Sequence, residues 1–181
     1  AWPIESHVRN MERFDRVRVA DPPELSLIIP YESMPGFYID CFAVDLPTHC
    51  SLEAFLKAFY TSWIFRLERL ILRLALRVPT SSDDLSAMLS GASDKFAVWI
   101  IEERQADQMI AKAVGGSNRT RSWFRGLSRD DGGTRLFFGS VLEPEPSLDG
   151  APPRLGLMFR AGIGAHRLYA RVLLAAAARK F

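Results

Sequence analysis

The chain has 181 residues, of which 48% are hydrophobic and 24% are charged, and its formal net charge is +2. These values are typical of one globular domain, and so small a charge gives no general attraction for nucleic acid. No apolar run reaches the length of a membrane span, and residues 1–7 lack the features of a secretion signal. We therefore expect a cytoplasmic protein with no integral membrane segment.

The chain is predicted to begin with an arm and a strand. Residues 1–35 are broken repeatedly by proline, which predicts an extended arm with at most one short strand or helical turn. The run Gly36–Leu46 predicts a strand, which Pro47 ends. We therefore divide the chain into an N-terminal arm, 1–35, and a single domain, 36–181.

Two helices are predicted next. Apolar residues recur every three or four positions from Leu52 to Leu74, which predicts a long helix that covers a core and stops at Pro79. Thr48 or Ser51 can cap its start. A membrane-surface helix is the alternative, but the polar face carries both signs of charge. A short helix follows at about 83–90.

The stretch Lys95–Glu143 organises the prediction, because it holds four runs rich in β-branched and aromatic residues. These runs are Lys95–Arg104, Asp107–Val114, Arg119–Arg125 and Thr134–Leu142. The last three are separated by glycine-containing turns, so we expect an antiparallel meander. One face of this sheet should be covered by helices, and the other face should be wetter.

The C-terminal part is predicted to be a loop and a helix. Residues 143–153 are rich in proline and predict a surface loop. Residues 154–160 fit either a brief strand or a helical lead-in. The final helix is predicted at about Ala165–Arg179, after Gly162 and Gly164.

Four short segments resemble a known family: Val98–Arg104, Arg121–Phe124, Thr134–Ser140 and Ala165–Tyr169. With the order of strand, long helix, short helix, meander and final helix, they resemble the START and Bet v 1-like (SRPBCC) superfamily, and within it the DUF2867-type domain of unknown function. The resemblance implies an α+β helix-grip fold, in which a curved antiparallel sheet packs against a long C-terminal helix. It also implies an apolar ligand between the two. The chain departs from the family in having fewer strands after the short helix.

Six residues are candidates for ligand binding: Trp99, Arg121, Trp123, Phe137, His166 and Tyr169. The aromatic ones are expected to line an apolar pocket between the sheet and the last helix. His166 is a candidate to orient a ligand or to act as an acid or base, and its alternative is a capping or structural role. If its strand face points inward, Arg121 can hold a ligand carboxylate.

Arginines alternate with Trp123 along one predicted strand, at positions 119, 121 and 125. Such interleaving can bind single-stranded nucleic acid. The chain has no RNP-like motif, so we favour an exposed outer sheet face and expect no nucleic-acid partner.

Metal and cofactor chemistry find little support in the sequence. Cys41 and Cys50 form no CxxC pair, which favours free thiols in a reducing compartment. Glu102 and Glu103 are adjacent on a strand and point to opposite faces, so they do not form a catalytic pair. We assign no metal site and no cofactor.

Three hypotheses remain open. The first is a module that binds an apolar or amphipathic small molecule. The second is a cyclase- or dehydratase-type enzyme that uses His166, and both rest on the resemblance. The third is a non-catalytic structural or interaction protein with a filled core.

Overall fold

The computed structural model of the protein describes residues 16–65, 82–114, 119–145 and 155–181. The second half of the predicted long helix, the 115–118 turn and most of the 143–153 loop lie outside these residues. Within them, no helix is both long enough and apolar enough to cross a membrane.

The described strands form one seven-stranded antiparallel sheet. They are β1 (Arg18–Val19), β2 (Tyr38–Leu46), β3 (Lys95–Phe96), β4 (Trp99–Arg104), β5 (Gln108–Ala113), β6 (Thr120–Ser128) and β7 (Thr134–Leu142). Their order across the sheet is β1-β2-β7-β6-β5-β4-β3. The predicted strand at 36–46 is confirmed, and it pairs with the last strand of the meander along its whole length.

The meander differs from the prediction at its first run. Residues 95–104 were expected to form one strand, but the chain turns at Ala97 and Val98 and forms a tight hairpin of β3 and β4. Ala97 has a φ of 55°, which is uncommon for a residue with a side chain. A continuous apolar run therefore concealed a turn that contains no glycine.

The first helix, α1, spans Leu52–Tyr60, and Ser51 caps it by accepting a hydrogen bond from the Ala54 N–H at 3.2 Å. The predicted helix is not continuous, because it is interrupted at Thr61 and Ser62, and its second half lies outside the described residues. Thr61 turns its hydroxyl back to the Lys57 carbonyl, and the Ser62 hydroxyl accepts a bond from the Phe65 N–H. Hydroxyl side chains that bond to the local backbone compete with helix formation, so the helix is interrupted here.

A 3-10 helix at Ile29–Ser33 and two more α-helices complete the described fold. α2 spans Ser82–Ser90, as predicted, and the glycine at 91 adopts a positive φ just after it. α3 spans Leu157–Ala178, so it begins earlier than the predicted residue 165. Residues 157–160 are a helical lead-in, and Gly162 and Gly164 lie inside the helix. The protein is thus an α+β fold with an open antiparallel sheet and a C-terminal helix.

The sheet carries an apolar cluster on each face. The larger cluster lies between the sheet and the helices and contains Phe42, Phe124 and Phe138. The second lies on the opposite face and contains Ile28 and Trp123, both with no exposed surface. The expectation that this second face would be wetter is therefore wrong, because the segment 20–37 covers it.

Polar side chains of the sheet hold this covering segment in place. Gln108 accepts a hydrogen bond from the Leu27 N–H and donates one to the Leu25 carbonyl, both at 2.9 Å. Its oxygen also accepts a bond from the indole N–H of Trp123 at 3.0 Å. The part of the predicted arm that the structure describes is thus packed against the sheet by specific hydrogen bonds.

Candidate functional site

A cavity of about 180 Å³ lies between the sheet and α3. Five of its lining residues are aromatic: Phe59, Phe65, Trp99, Phe138 and Tyr169. Four carry polar groups: Thr120, Ser122, Ser140 and His166. Ala170 and Leu173 of α3 contribute the remaining wall. The site is therefore apolar, with a small number of polar groups on the sheet and on the helix.

The cavity exists because small side chains line up across three strands. Ser140 of β7 lies directly opposite Ser122 of β6, and Ser122 lies opposite Ala111 of β5. Neighbouring positions on these strands carry large residues, such as Phe124 and Phe138, that reach the helices. Since adjacent strands are about 4.8 Å apart, this row of small residues leaves a hollow about 10 Å across beneath α3.

The same row continues into a buried acid. Asp40 of β2 lies opposite Ser140, and its side chain is only 5% exposed. One carboxylate oxygen, Oδ1, accepts a hydrogen bond from the Ser140 N–H at 3.1 Å. The other, Oδ2, lies 3.4 Å from Nε2 of His166, a contact that becomes an ion pair when the imidazole is protonated. The site thus joins the first long strand to the last helix.

Burial also acts on a tyrosine beside this acid. Desolvation raises the pKa of Tyr38, and the neighbouring Asp40 carboxylate raises it further, against the opposing charge of Arg167. The Tyr38 hydroxyl therefore stays protonated throughout the neutral range.

Three buried polar atoms at the site make no hydrogen bond to any residue that the structure describes. They are Oδ2 of Asp40, Nε2 of His166 and Nε1 of Trp99. Buried polar atoms are nearly always paired, because an unpaired one costs about 1–3 kcal/mol. Oδ2 of Asp40 and Nε2 of His166 face each other at 3.4 Å, and of the three residues only His166 and Trp99 line the cavity.

The six residues singled out from the sequence divide between the two faces of the sheet. Trp99, His166 and Tyr169 line the cavity. Trp123 and Phe137 instead pack in the cluster on the opposite face. Our expectation that these two rings line the same pocket is thus corrected. The reason is strand alternation, since Phe124 and Phe138, their chain neighbours, occupy the helix-facing side.

Arg121 also lies on the opposite face, and its charge is already paired with two carboxylates. Its guanidinium donates to Glu102 at 2.7 and 3.2 Å and to Glu143 at 3.0 Å, and it stacks over the Tyr31 ring. Partial burial alone would raise the pKa of Glu143, but hydrogen bonds from Arg121 and Lys112 outweigh it and lower that pKa. Arg121 therefore fastens the covering segment and β4 to the sheet. The expected exposed outer face is a paired, largely buried one.

Sequence reasoning missed Asp40, Ser122 and Ser140. One signal was available for the acid. In the apolar strand 38–46, Asp40 has the same parity as Phe42 and Val44, which both point to the helices. An acid on the core side of a strand is expected to need a partner. The partner, His166, could not be inferred, because it comes from a distant helix.

Other hollows on the described surface have a different character. One of them, about 550 Å³, lies beside the 129–133 turn, where Arg129 and Arg135 already pair with acidic residues. No group of three or more His, Cys, Asp or Glu side chains that could hold a metal ion occurs within residues 16–65, 82–114, 119–145 and 155–181.

No family model matches the chain, and no curated protein matches it. The fold and the site define an α+β domain with an apolar cavity between an antiparallel sheet and a C-terminal helix.

Proposed function

We propose that this protein binds an apolar or amphipathic small molecule in the cavity between the sheet and α3. The observation that carries the proposal is a mainly aromatic cavity whose lining also holds the polar side chains of Thr120, Ser122, Ser140 and His166. Ligand sites typically combine apolar walls with a few placed polar groups. The sheet order, with the first long strand beside the last, supports a helix-grip arrangement as part of the same proposal.

The size of the cavity limits the ligand. An apolar cavity of about 150 Å³ in another protein is large enough to bind benzene. The present cavity, at about 180 Å³, suits one ring with a few substituent atoms. A long-chain lipid would extend beyond this volume.

The test is ligand binding by a matched pair of variants. Native mass spectrometry of the purified protein, followed by denaturing extraction, identifies a molecule that is retained. Ser122→Ile fills the cavity floor, whereas Ser128→Ile alters the exposed end of the same strand. We expect single-ring compounds to bind wild type and the Ser128→Ile variant and to raise the Tm of both proteins. The Ser122→Ile variant should bind none of these compounds. Equal responses from all three proteins would place binding elsewhere and refute the proposal.

The contact between His166 and Asp40 favours a second candidate, acid–base catalysis on the bound molecule. A buried carboxylate that contacts an imidazole orients the ring for such a step. In such a step the imidazole takes a proton from a carbon next to a ligand carbonyl, and the electron pair moves to the carbonyl oxygen.

Hydrogen exchange tests this candidate. Cyclohexanone in D₂O should gain deuterium beside its carbonyl faster with wild type than with His166→Ala or with buffer. Equal rates in the three samples would leave a binding module without catalysis. The third hypothesis, a filled core, has less support, because the described core contains this cavity.

Both cysteines, Cys41 and Cys50, are free thiols. This supports the proposal that the protein works in a reducing compartment, such as the cytoplasm.

A further inference from the structure

We infer that the cavity selects an uncharged single-ring molecule that carries a hydroxyl or carbonyl oxygen. The inference rests on the proposed function and names its ligand class. Two features of the cavity carry it, namely the charges that are missing from its described lining and the row of hydroxyl groups on its floor.

Charged ligands find no partner in the described lining. Neither Lys, Arg, Asp nor Glu is among the described residues that line the cavity. The nearest acid, Asp40, has one oxygen bonded to the Ser140 N–H and the other facing His166. A ligand carboxylate or ammonium would therefore meet no side chain of fixed opposite charge in the described lining, and its burial there costs several kcal/mol.

Hydroxyl groups line the floor. Ser122 and Ser140 lie opposite each other, and Thr120 precedes Ser122 by two residues and shares its face. Side chains at opposite positions are about 5 Å apart, so one ligand oxygen can reach both serines. A hydroxyl group can donate or accept. The floor therefore suits an alcohol, a phenol or a ketone.

Four probes with one carbon skeleton separate these requirements: benzyl alcohol, toluene, benzoate and benzylammonium. Each is titrated into the full chain at pH 7.5, and chemical shifts of the cavity residues report binding. We expect benzyl alcohol to bind at least tenfold more tightly than either ion, and several-fold more tightly than toluene. An ion that binds as tightly as the alcohol, or toluene that equals it, overturns the inference and leaves the proposed function intact. If no probe shifts the cavity signals, the proposed function itself fails.

Variants test which groups hold the oxygen. Ser122→Ala and Ser140→Ala each remove one hydroxyl from the floor, and Ser128→Ala is the control outside the cavity. We expect each cavity variant to reduce the preference for benzyl alcohol over toluene by about fivefold, and the control to preserve it. An unchanged preference in both cavity variants would overturn the assignment of the oxygen to this floor.

Discussion

The Asp40 carboxylate lies 3.4 Å from the His166 imidazole, so the first long strand meets the last helix at one buried polar contact. The strand supplies the acid and the helix supplies the base. The small residues of β6 and β7 leave the cavity that lies between the sheet and the helix. The site therefore depends on the complete sheet order and is not contained in any local segment.

The cavity should tolerate a larger side chain where the surrounding core does not. Ala170 and Ala177 are both buried on α3, but only Ala170 lines the cavity. We expect Ala170→Leu to change the free energy of unfolding by less than about 1 kcal/mol, and Ala177→Leu to lower it by about 1–3 kcal/mol through overpacking. Urea denaturation measures both. Equal losses would mean that no usable space lies beside Ala170.

Gly139 should be intolerant of any side chain. A Cβ there would lie 2.7 Å from Ile28 Cδ1, 2.9 Å from the Asp40 carbonyl oxygen and 3.0 Å from Trp123. We expect Gly139→Ala to lower the free energy of unfolding by about 1–3 kcal/mol. The control, Gly164→Ala, meets no atom within 4 Å in α3 and should raise it by about 0.5–1 kcal/mol. Denaturant midpoints that move in the same direction would contradict this contrast.

Asp45 should stabilise the protein in a pH-dependent way. Hydrogen bonds from Arg135, with support from Arg18, lower its pKa from 3.8 to about 2. The carboxylate therefore contributes its full stability above about pH 4, and this contribution is lost as the pH falls toward 2. Allowing for solvent screening, we expect Asp45→Asn to cost about 1 kcal/mol at pH 6 and almost nothing near pH 2.

Urea denaturation at both pH values measures this cost. Asp130→Asn is the control, because Asp130 is exposed and makes no ion pair with a described residue. A cost for Asp45→Asn that does not shrink at low pH would show that the carboxylate charge is not responsible.

The two thiols should be unreactive in the folded protein. Burial raises the pKa of Cys41 to about 12 and that of Cys50 to about 11. Because only the thiolate is nucleophilic, both stay protonated and inert near neutrality. We expect Ellman's reagent at pH 8 to react slowly with the native protein and rapidly with two thiols in urea. Fast labelling of either cysteine in the native state would refute this.

Local sequence signals predicted most of the strands and the short helix, but they could not assign the sheet faces. In β6 and β7, large aromatic residues stand side by side, as Trp123 and Phe124 and as Phe137 and Phe138. All four are buried, so alternation alone does not tell which ring faces the helices. Residues 20–37 cover one side of the sheet, through contacts with strands that lie far away in the sequence. These long-range contacts determine which side of the sheet faces away from the helices.

The sequence predicted two helix boundaries incorrectly for a different reason. Apolar spacing continued smoothly through residues 61–65, but the hydroxyls of Thr61 and Ser62 bond to the backbone and end α1. Conversely, Gly162 and Gly164 suggested a break before α3, and the helix includes both. In the first case side-chain hydrogen bonds to the backbone outweigh the apolar pattern, whereas no described contact explains why the helix includes the two glycines.

The hairpin of β3 and β4 has a consequence for how copies of this chain behave in solution. Within the described residues, only the two-residue β3 pairs with the outer side of β4, which leaves Glu102, Glu103 and Arg104 along the border of the sheet. A bulge interrupts the register between Ile101 and Glu103. Charges and a bulge both hinder the addition of a foreign strand. This border is therefore protected against the edge-to-edge pairing that leads to aggregation.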